Sequence, residues 1–370
     1  MKKTKVAVLG SGFIADIHLE CYHRFVPDAE VCAVWSRRPE RGEAFAKKHH
    51  IPKFYPDLDR LLAESECEIV DVCLPNFLHH RATLAAARAG RHVIIEKPLA
   101  MNLAEADEMI RVCREQKRLL MYAEELCFAP KYERVRKLVL EGAVGRIFQL
   151  RQCEKHSGPH SDWFYDIAQS GGGAIMDMGC HGIAWCRWIL GGNPAVRSVY
   201  AQMQNGLRHG ARTRGEENSV IMLEFASGAI GIVENSWARL GGMDDRIEVY
   251  GTGGSVYADL FQGNAALTYS EKGYGYALEK AGATTGWTFT VFEEAFNQGY
   301  PQELQHFVDC VRRGAAPVVT GEDGRAVLEI MLAAYASAGA GRKIELPFAP
   351  VVARPIDLWL GGGQPADRGR

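Results

Sequence analysis

Short apolar runs alternate with helical patterns over residues 5 to 125. Val6 to Leu9, Val31 to Trp35, Ile69 to Leu74, His92 to Ile95 and Leu119 to Ala123 read as strands. That alternation implies a parallel, doubly wound sheet with crossover helices. Between the last two runs Asn102 is placed to cap a helix, with Glu105 three residues on to reach back to the cap. Lys117 and Arg118 suit its negative C-terminal end.

After Pro130 the texture changes. A helix is expected from Lys131 to Glu141, ending at Gly142, then a strand from Arg146 to Cys153, a polar and aromatic stretch from Glu154 to Ser170, and a helix after Gly171-Gly172-Gly173. Ser219 to Phe225, Ala229 to Glu234 and Arg246 to Tyr250 are strand-like runs set apart by glycine turns, with Gly251-Thr252-Gly253-Gly254 one such turn. Runs of this kind favour an antiparallel sheet. Helices from Pro301 to Arg313 and Glu322 to Ala338 close the pattern, the second with Thr320 and Asp323 in capping positions and Gly339 as a stop. The expected organisation is therefore α/β: residues 1–125 a Rossmann-type domain, 126–360 an α+β domain, and 361–370 a mobile tail.

Composition narrows the function classes. The 370 residues include 43 Lys and Arg against 45 Asp and Glu, so a formal charge of −2 gives no general attraction to nucleic acid or to an anionic membrane. No apolar run approaches the roughly 20 residues of a membrane span. The start, Met1 to Gly10, reads as a first strand entering a glycine loop rather than as a signal peptide. Ten scattered cysteines without metal-type spacing fit reduced thiols in a cytoplasmic protein.

The first strand runs into Gly10-Ser11-Gly12-Phe13-Ile14-Ala15. Gly10 permits a tight strand exit, Gly12 lets a pyrophosphate approach the backbone, and Ala15 takes the place of the third glycine where helix packs on strand. The free amides at the helix start attract phosphate charge. At the end of the second strand, where a carboxylate would ordinarily accept the ribose hydroxyls of NAD, the chain has Ser36-Arg37-Arg38. These residues can engage a 2′-phosphate, favouring NADP, but an arginine can also stack on the adenine of NAD. Pro75-Asn76-Phe77-Leu78-His79 follows the third strand at the carboxyl edge, where ligands bind. Asn76 and His79 are candidates for the nicotinamide ribose, and Asn76 is equally a candidate helix cap.

With Ala89-Gly90-Arg91-His92-Val93 leading to Glu96-Lys97-Pro98-Leu99, and with Gly171 to His181, these motifs resemble the Gfo/Idh/MocA oxidoreductase family. The resemblance implies an N-terminal Rossmann domain, a C-terminal α/β domain with a largely antiparallel open sheet, and homo-oligomers formed through that sheet. It implies that Glu96 lies with the cofactor-binding residues, that Lys97 is an active-site lysine, and that Asp177 and His181 are the other polar members.

Hydride transfer from a secondary alcohol needs a base for the hydroxyl proton and donors that fix the carbon against the nicotinamide. His181 or Lys97 is the expected base and Asp177 the positioning carboxylate, the four-residue spacing placing Asp177 and His181 on one helical face. Glu125, His156, His160, Asp162 and Trp163 have the makeup of a sugar site, aromatic for the ring face and polar for its hydroxyls. No metal is expected, since the histidine spacings match no standard zinc motif. Tyr122 to Tyr132 and His156 to Trp163 resemble the branch that oxidises glucosides at C3, including enzymes that start C-glycoside cleavage. Two other readings stay open at this level: a bound NAD(H) used transiently for glycoside cleavage or hydride exchange between sugars, and a nucleotide-binding regulator without turnover.

Overall fold

The computed structural model describes residues 2–191, 194–261, 266–272, 285–290 and 293–361. They form two compact units, Met1–Phe128 with Gly299–Leu328, and Ala129–Gln298 with Glu329–Arg370.

The first unit is built on six parallel strands: β1 (Thr4–Leu9), β2 (Ala29–Trp35), β3 (Phe54–Tyr55), β4 (Ile69–Val72), β5 (His92–Glu96) and β6 (Leu120–Ala123), in the order β3-β2-β1-β4-β5-β6. Val6, Ala7, Val8 and Leu9 are fully buried, as are Val93, Ile94 and Ile95, because helices cover both faces of the sheet. The expected cap is made: Asn102 Oδ1 accepts from Glu105 N at 3.0 Å, and Glu105 Oε2 accepts from Met101 N at 3.1 Å. The two-residue β3 lies below the length at which a periodic pattern is visible, and the strand reading omitted it.

Gly299–Leu328 belongs to this unit although the 125/126 boundary assigns it to the second domain. The reason is packing. Helix Tyr300–Arg313 lies against helix Phe13–Phe25 with Leu304, Phe307 and Val308 fully buried, and Arg312 donates to Lys2 O at 3.0 Å. Thr320 and Asp323 form the expected reciprocal cap on helix Gly321–Ala340, with Asp323 N to Thr320 Oγ1 at 3.2 Å and Thr320 N to Asp323 Oδ2 at 3.0 Å. That helix runs through Gly339 and stops before Gly341, whose φ is +64°.

In the second unit β7 (Ile147–Lys155), β8 (Val196–Gln204), β9 (Asn218–Phe225), β10 (Ile230–Ser236), β11 (Asp244–Gly251) and β12 (Gly254–Asp259) form a sheet. A separate hairpin pairs β13 (Ala266–Ser270) with β14 (Gly286–Thr290), and β15 (Ile344–Glu345) adds to β8. The order β12-β11-β7-β10-β9-β8-β15 is antiparallel except for β7 beside β10. Along β9 Ser219, Ile221, Leu223 and Phe225 turn inward while Val220 and Met222 are exposed, the alternation of a sheet covered on one face. Gly251 to Gly254 is the expected turn, joining β11 to β12. Beyond Gly361 the tail lies outside the described residues.

Candidate active site

The glycine loop has the form a dinucleotide needs. Gly10 takes φ +126°, and a Cβ there would lie 2.2 Å from Cys73 O, so only glycine lets β1 pass so close to β4. A Cβ on Gly12 would meet nothing within 4 Å, which leaves the approach to the amides of Phe13 and Ile14 open above the start of helix Phe13–Phe25. The residues present therefore fit a nucleotide pyrophosphate. Ser36 is largely buried, its Oγ 2.9 Å from Ser11 Oγ and accepting from Arg38 N at 3.3 Å, so it holds the loop. Arg37 and Arg38 are exposed, with the Arg37 guanidinium 5.5 Å from the centre of the Phe77 ring. Arg41, which the sequence reading passed over, braces the same loop by donating to Ser11 O at 3.0 Å.

At the carboxyl edge Pro75 precedes a 3₁₀ turn, Asn76–Leu78, in which Asn76 is buried. His79 departs from its expected role. It is fully buried, with Nδ1 2.9 Å from Pro98 O and Nε2 2.8 Å from Leu74 O. Both ring nitrogens face carbonyl oxygens, so His79 ties the end of β4 to the turn that carries Lys97 instead of meeting a ribose. Burial lowers its pKa below the ordinary histidine value.

Glu96 ends β5. Its Oε2 accepts from Lys97 N at 3.1 Å, and its Oε1 lies 3.1 Å from His18 Nε2, so this carboxylate supports the Lys97 backbone from below. Glu124, one residue beyond β6, is fully buried. Burial pushes its carboxyl up to about 8, the positive charge of Lys97 acting against that rise. Glu125 is also buried, and its Oε1 accepts from Tyr300 OH at 3.1 Å. Glutamates next to a strand end carry no mark of which way the chain turns, and here it turns them inward.

In the second unit Asp177 lies in a π-helical turn, Ile175–Gly179, and His181 in the first turn of helix Cys180–Ile189. A π turn takes more residues than an α turn, so a four-residue step stays close to one revolution. Both side chains are nearly buried, at 8% and 2% exposure. Asp177 Oδ2 accepts from Trp237 Nε1 at 2.8 Å and lies 3.5 Å from His156 Nε2. His156 Nδ1 in turn accepts from Gly158 N at 3.1 Å, which fixes the ring at the end of β7. The arrangement is a buried carboxylate clamped by an indole N–H, with an imidazole at its edge.

His160 and Asp162 stand on the exposed part of the 154–170 stretch. Asp162 pairs with Arg212 at 2.7 Å, and Trp163 stacks on Phe164 with ring centres 3.8 Å apart. The structure thus brings His156 to Asp177 and leaves Asp162 on a surface pair.

Two supporting residues carry no signal in the sequence. Trp237, fully buried, follows β10 sixty positions from its partner Asp177. Glu216, also fully buried, receives Gly173 N at 3.0 Å, Ile175 N at 2.8 Å and Tyr335 OH at 2.7 Å, pinning the entry to the π turn. Burial raises its pKa to about 7, while those donors pull the other way. A Cβ on Gly173 would sit 2.0 Å from Glu216 O, which explains one member of the glycine triplet.

A doubly wound parallel sheet whose first strand enters an open glycine loop defines a dinucleotide-binding domain, and the buried Asp177 set supplies polar chemistry outside it. Comparison with known proteins agrees. Residues 4–124 match the oxidoreductase family model with an NAD-binding Rossmann fold, and residues 132–257 match the GFO/IDH/MocA C-terminal domain. The chain belongs to the Gfo/Idh/MocA family of oxidoreductases and carries its NAD-binding domain. It is 29% identical to myo-inositol 2-dehydrogenase of Thermotoga maritima over 92% of this chain and 98% of that one. It is 28% identical to D-glucoside 3-dehydrogenase of Escherichia coli, covering 92% and 97%. Among solved structures, GenD2 from gentamicin A biosynthesis, in complex with NAD, is 34% identical with a TM-score of 0.88, covering 94% and 97%. Among the described residues no helix is long and apolar enough to cross a membrane.

Proposed function

We propose that this chain is a dehydrogenase that oxidises a secondary hydroxyl of a sugar, glycoside or cyclic polyol, C3 of a glucoside being one candidate position. The observation that carries the reading is the buried Asp177 carboxylate held by Trp237 beside His156, with His181 on the next turn, in a chain that also has an NAD-binding domain. The names of the relatives, inositol and glucoside dehydrogenases, favour the same substrate class.

When bound, the nicotinamide supplies the hydride acceptor. The carbinol C–H leaves as hydride and the O–H as a proton, so the carbon becomes a ketone and the protein must take one proton. In this reading Lys97 or His181 takes it, Asp177 orients the hydroxyl or the imidazole, and His156 with Trp163 lines the sugar. A panel of myo-inositol, scyllo-inositol, a methyl glucoside and levoglucosan, followed by the absorbance of reduced nicotinamide, tests the proposal. Turnover with at least one polyol or glycoside is expected; bound nucleotide without turnover on any of them would favour a regulator.

NADP is proposed as the preferred cofactor. The support is the exposed Arg37-Arg38 pair and a β2 end where serine stands in place of the usual carboxylate, so nothing there repels a 2′-phosphate. Losing one charge-assisted contact predicts that Arg38→Ser raises the KM for NADP about 10-fold and leaves that for NAD within about twofold. Equal KM changes for both cofactors would show that Arg38 does not read the phosphate.

A cytoplasmic homo-oligomer completes the proposal. No disulfide joins any of the ten cysteines. Val220, Met222, Ile230 and Tyr257 on the second unit's sheet are more than 40% exposed, a surface suited to a second copy of the chain. Light scattering reads the subunit number.

A further inference from the structure

The two motifs that mark the nucleotide domain are physically joined through a residue that belongs to neither. His18 lies on helix Phe13–Phe25, just after the glycine loop, and its ring is fully buried. Nδ1 is 2.9 Å from Asp71 Oδ2 on β4, and Nε2 is 3.1 Å from Glu96 Oε1 at the end of β5. The other oxygen of Glu96 accepts from Lys97 N at 3.1 Å. A continuous path therefore runs from the helix that opens on the glycine loop, through His18 and Glu96, to the backbone of Lys97.

We infer that His18 is a buried imidazolium and a positioning residue for Lys97. This rests on the reading that Lys97 belongs to the active site. A neutral imidazole has one N–H, so it would turn a lone pair toward one of two carboxylates, whereas the imidazolium presents an N–H to each, bonding Asp71 and pairing with Glu96. Burying a cation is costly unless it is paired, and here it has two anionic neighbours.

The groups facing His18 are Tyr22 and Cys21 on its own helix, Asp71 and Cys73 from β4 and the residue after it, Glu96 from β5, and Tyr300 and Glu303 from helix Tyr300–Arg313. Tyr22 OH donates to Asp71 Oδ2 at 3.1 Å, and the Cys73 thiol lies 3.4 Å from Nδ1. Burial pushes that thiol and the Glu303 carboxyl up. Burial opposes the charge on His18 too, but its contacts with Cys73 and Asp71 outweigh this and the pKa lies well above the ordinary value. Glu96 moves down: burial acts against it, and the bond and charge of His18, with the charge of Lys97, prevail. Within the cluster Asp71 is held by His18 and Tyr22, and Glu96 meets His18 as an ion pair.

Without the imidazolium, Glu96 would keep its charge facing Lys97 alone, which favours protonated Lys97, and the turn would lose its tether to the helix. Side-chain ¹⁵N spectra of the histidine-labelled full-length protein decide the charge. Both His18 nitrogens should carry protons at pH 7, and a singly protonated ring there would overturn the inference.

The kinetic arm uses His18→Gln. A misplaced reacting group predicts a fall in kcat of about 10- to 100-fold, with the NAD(P) dissociation constant within about threefold and an alkaline shift of the acidic limb of the pH–rate profile, which the pKa of the base sets. Unchanged kcat, or loss matched by lost nucleotide binding with no shift of the limb, would overturn the positioning role. Should His18→Gln fail to fold, Asp71→Asn, which removes one counter-charge and keeps a hydrogen-bonding group, should lower the pKa of His18 in the same spectra. A failure of the Lys97 reading itself is separable: Lys97→Met would then retain turnover while the spectra still showed the imidazolium.

Discussion

Replacing Lys97 by Met is expected to lower kcat by about 10³-fold while the nucleotide still binds within about threefold of wild type, the scale of a lost acid–base group. Methionine keeps most of the unbranched stem, so packing around the turn should survive. The backbone bond from residue 97 to Glu96 does not depend on the side chain. What disappears is the ammonium, whose charge acts on both Glu96 and the buried Glu124. With that charge gone, Glu124 loses the one named influence holding its pKa down, and its carboxyl should stay protonated to higher pH than about 8. Steady-state kinetics with a nucleotide-binding isotherm check the first part. If Lys97→Met and His181→Ala each kept near-normal turnover with nucleotide bound, neither would be the base.

The second large effect is expected at Asp177. Asp177→Asn should cut kcat about 100-fold with little loss of stability, because the amide oxygen can still accept from Trp237 Nε1 while the charge beside His156 is gone. Asp177→Ala goes further, leaving the fully buried Trp237 N–H without its acceptor, and should cost an additional 1–3 kcal/mol or about that in unfolding free energy. Equilibrium denaturation together with kcat separates the two. An Asn variant as active as wild type would show that the carboxylate is not needed as a charge.

Much of the first unit was legible because a parallel sheet covered on both faces writes its strands as continuous apolar runs, and the glycine loop and the Glu96-Lys97-Pro98 turn sit where such runs end. Capping pairs such as Asn102 with Glu105 and Thr320 with Asp323 are local in sequence and were legible for that reason. What could not be read depends on contacts across long sequence distances. Nothing local to Trp237 or Glu216 points to Asp177 or to the π turn, and nothing in Pro75 to His79 tells that the histidine ring would be spent on the carbonyls of Leu74 and Pro98. The bond of Glu125 to Tyr300 was not legible for a related reason: the tyrosine is brought in by a helix far along the chain. The residues that support the site are thus harder to see than those that resemble a family motif.

The central claim is transfer of hydride from a carbinol carbon to a nicotinamide. The most direct measurement supplies the enzyme with oxidised nucleotide and the best substrate of the panel, deuterated at the carbon that becomes the ketone. The account predicts deuterium on the reduced nicotinamide and a ketone formed in equal amount. Reduced nucleotide without deuterium, or ketone formed without reduced nucleotide, would contradict it.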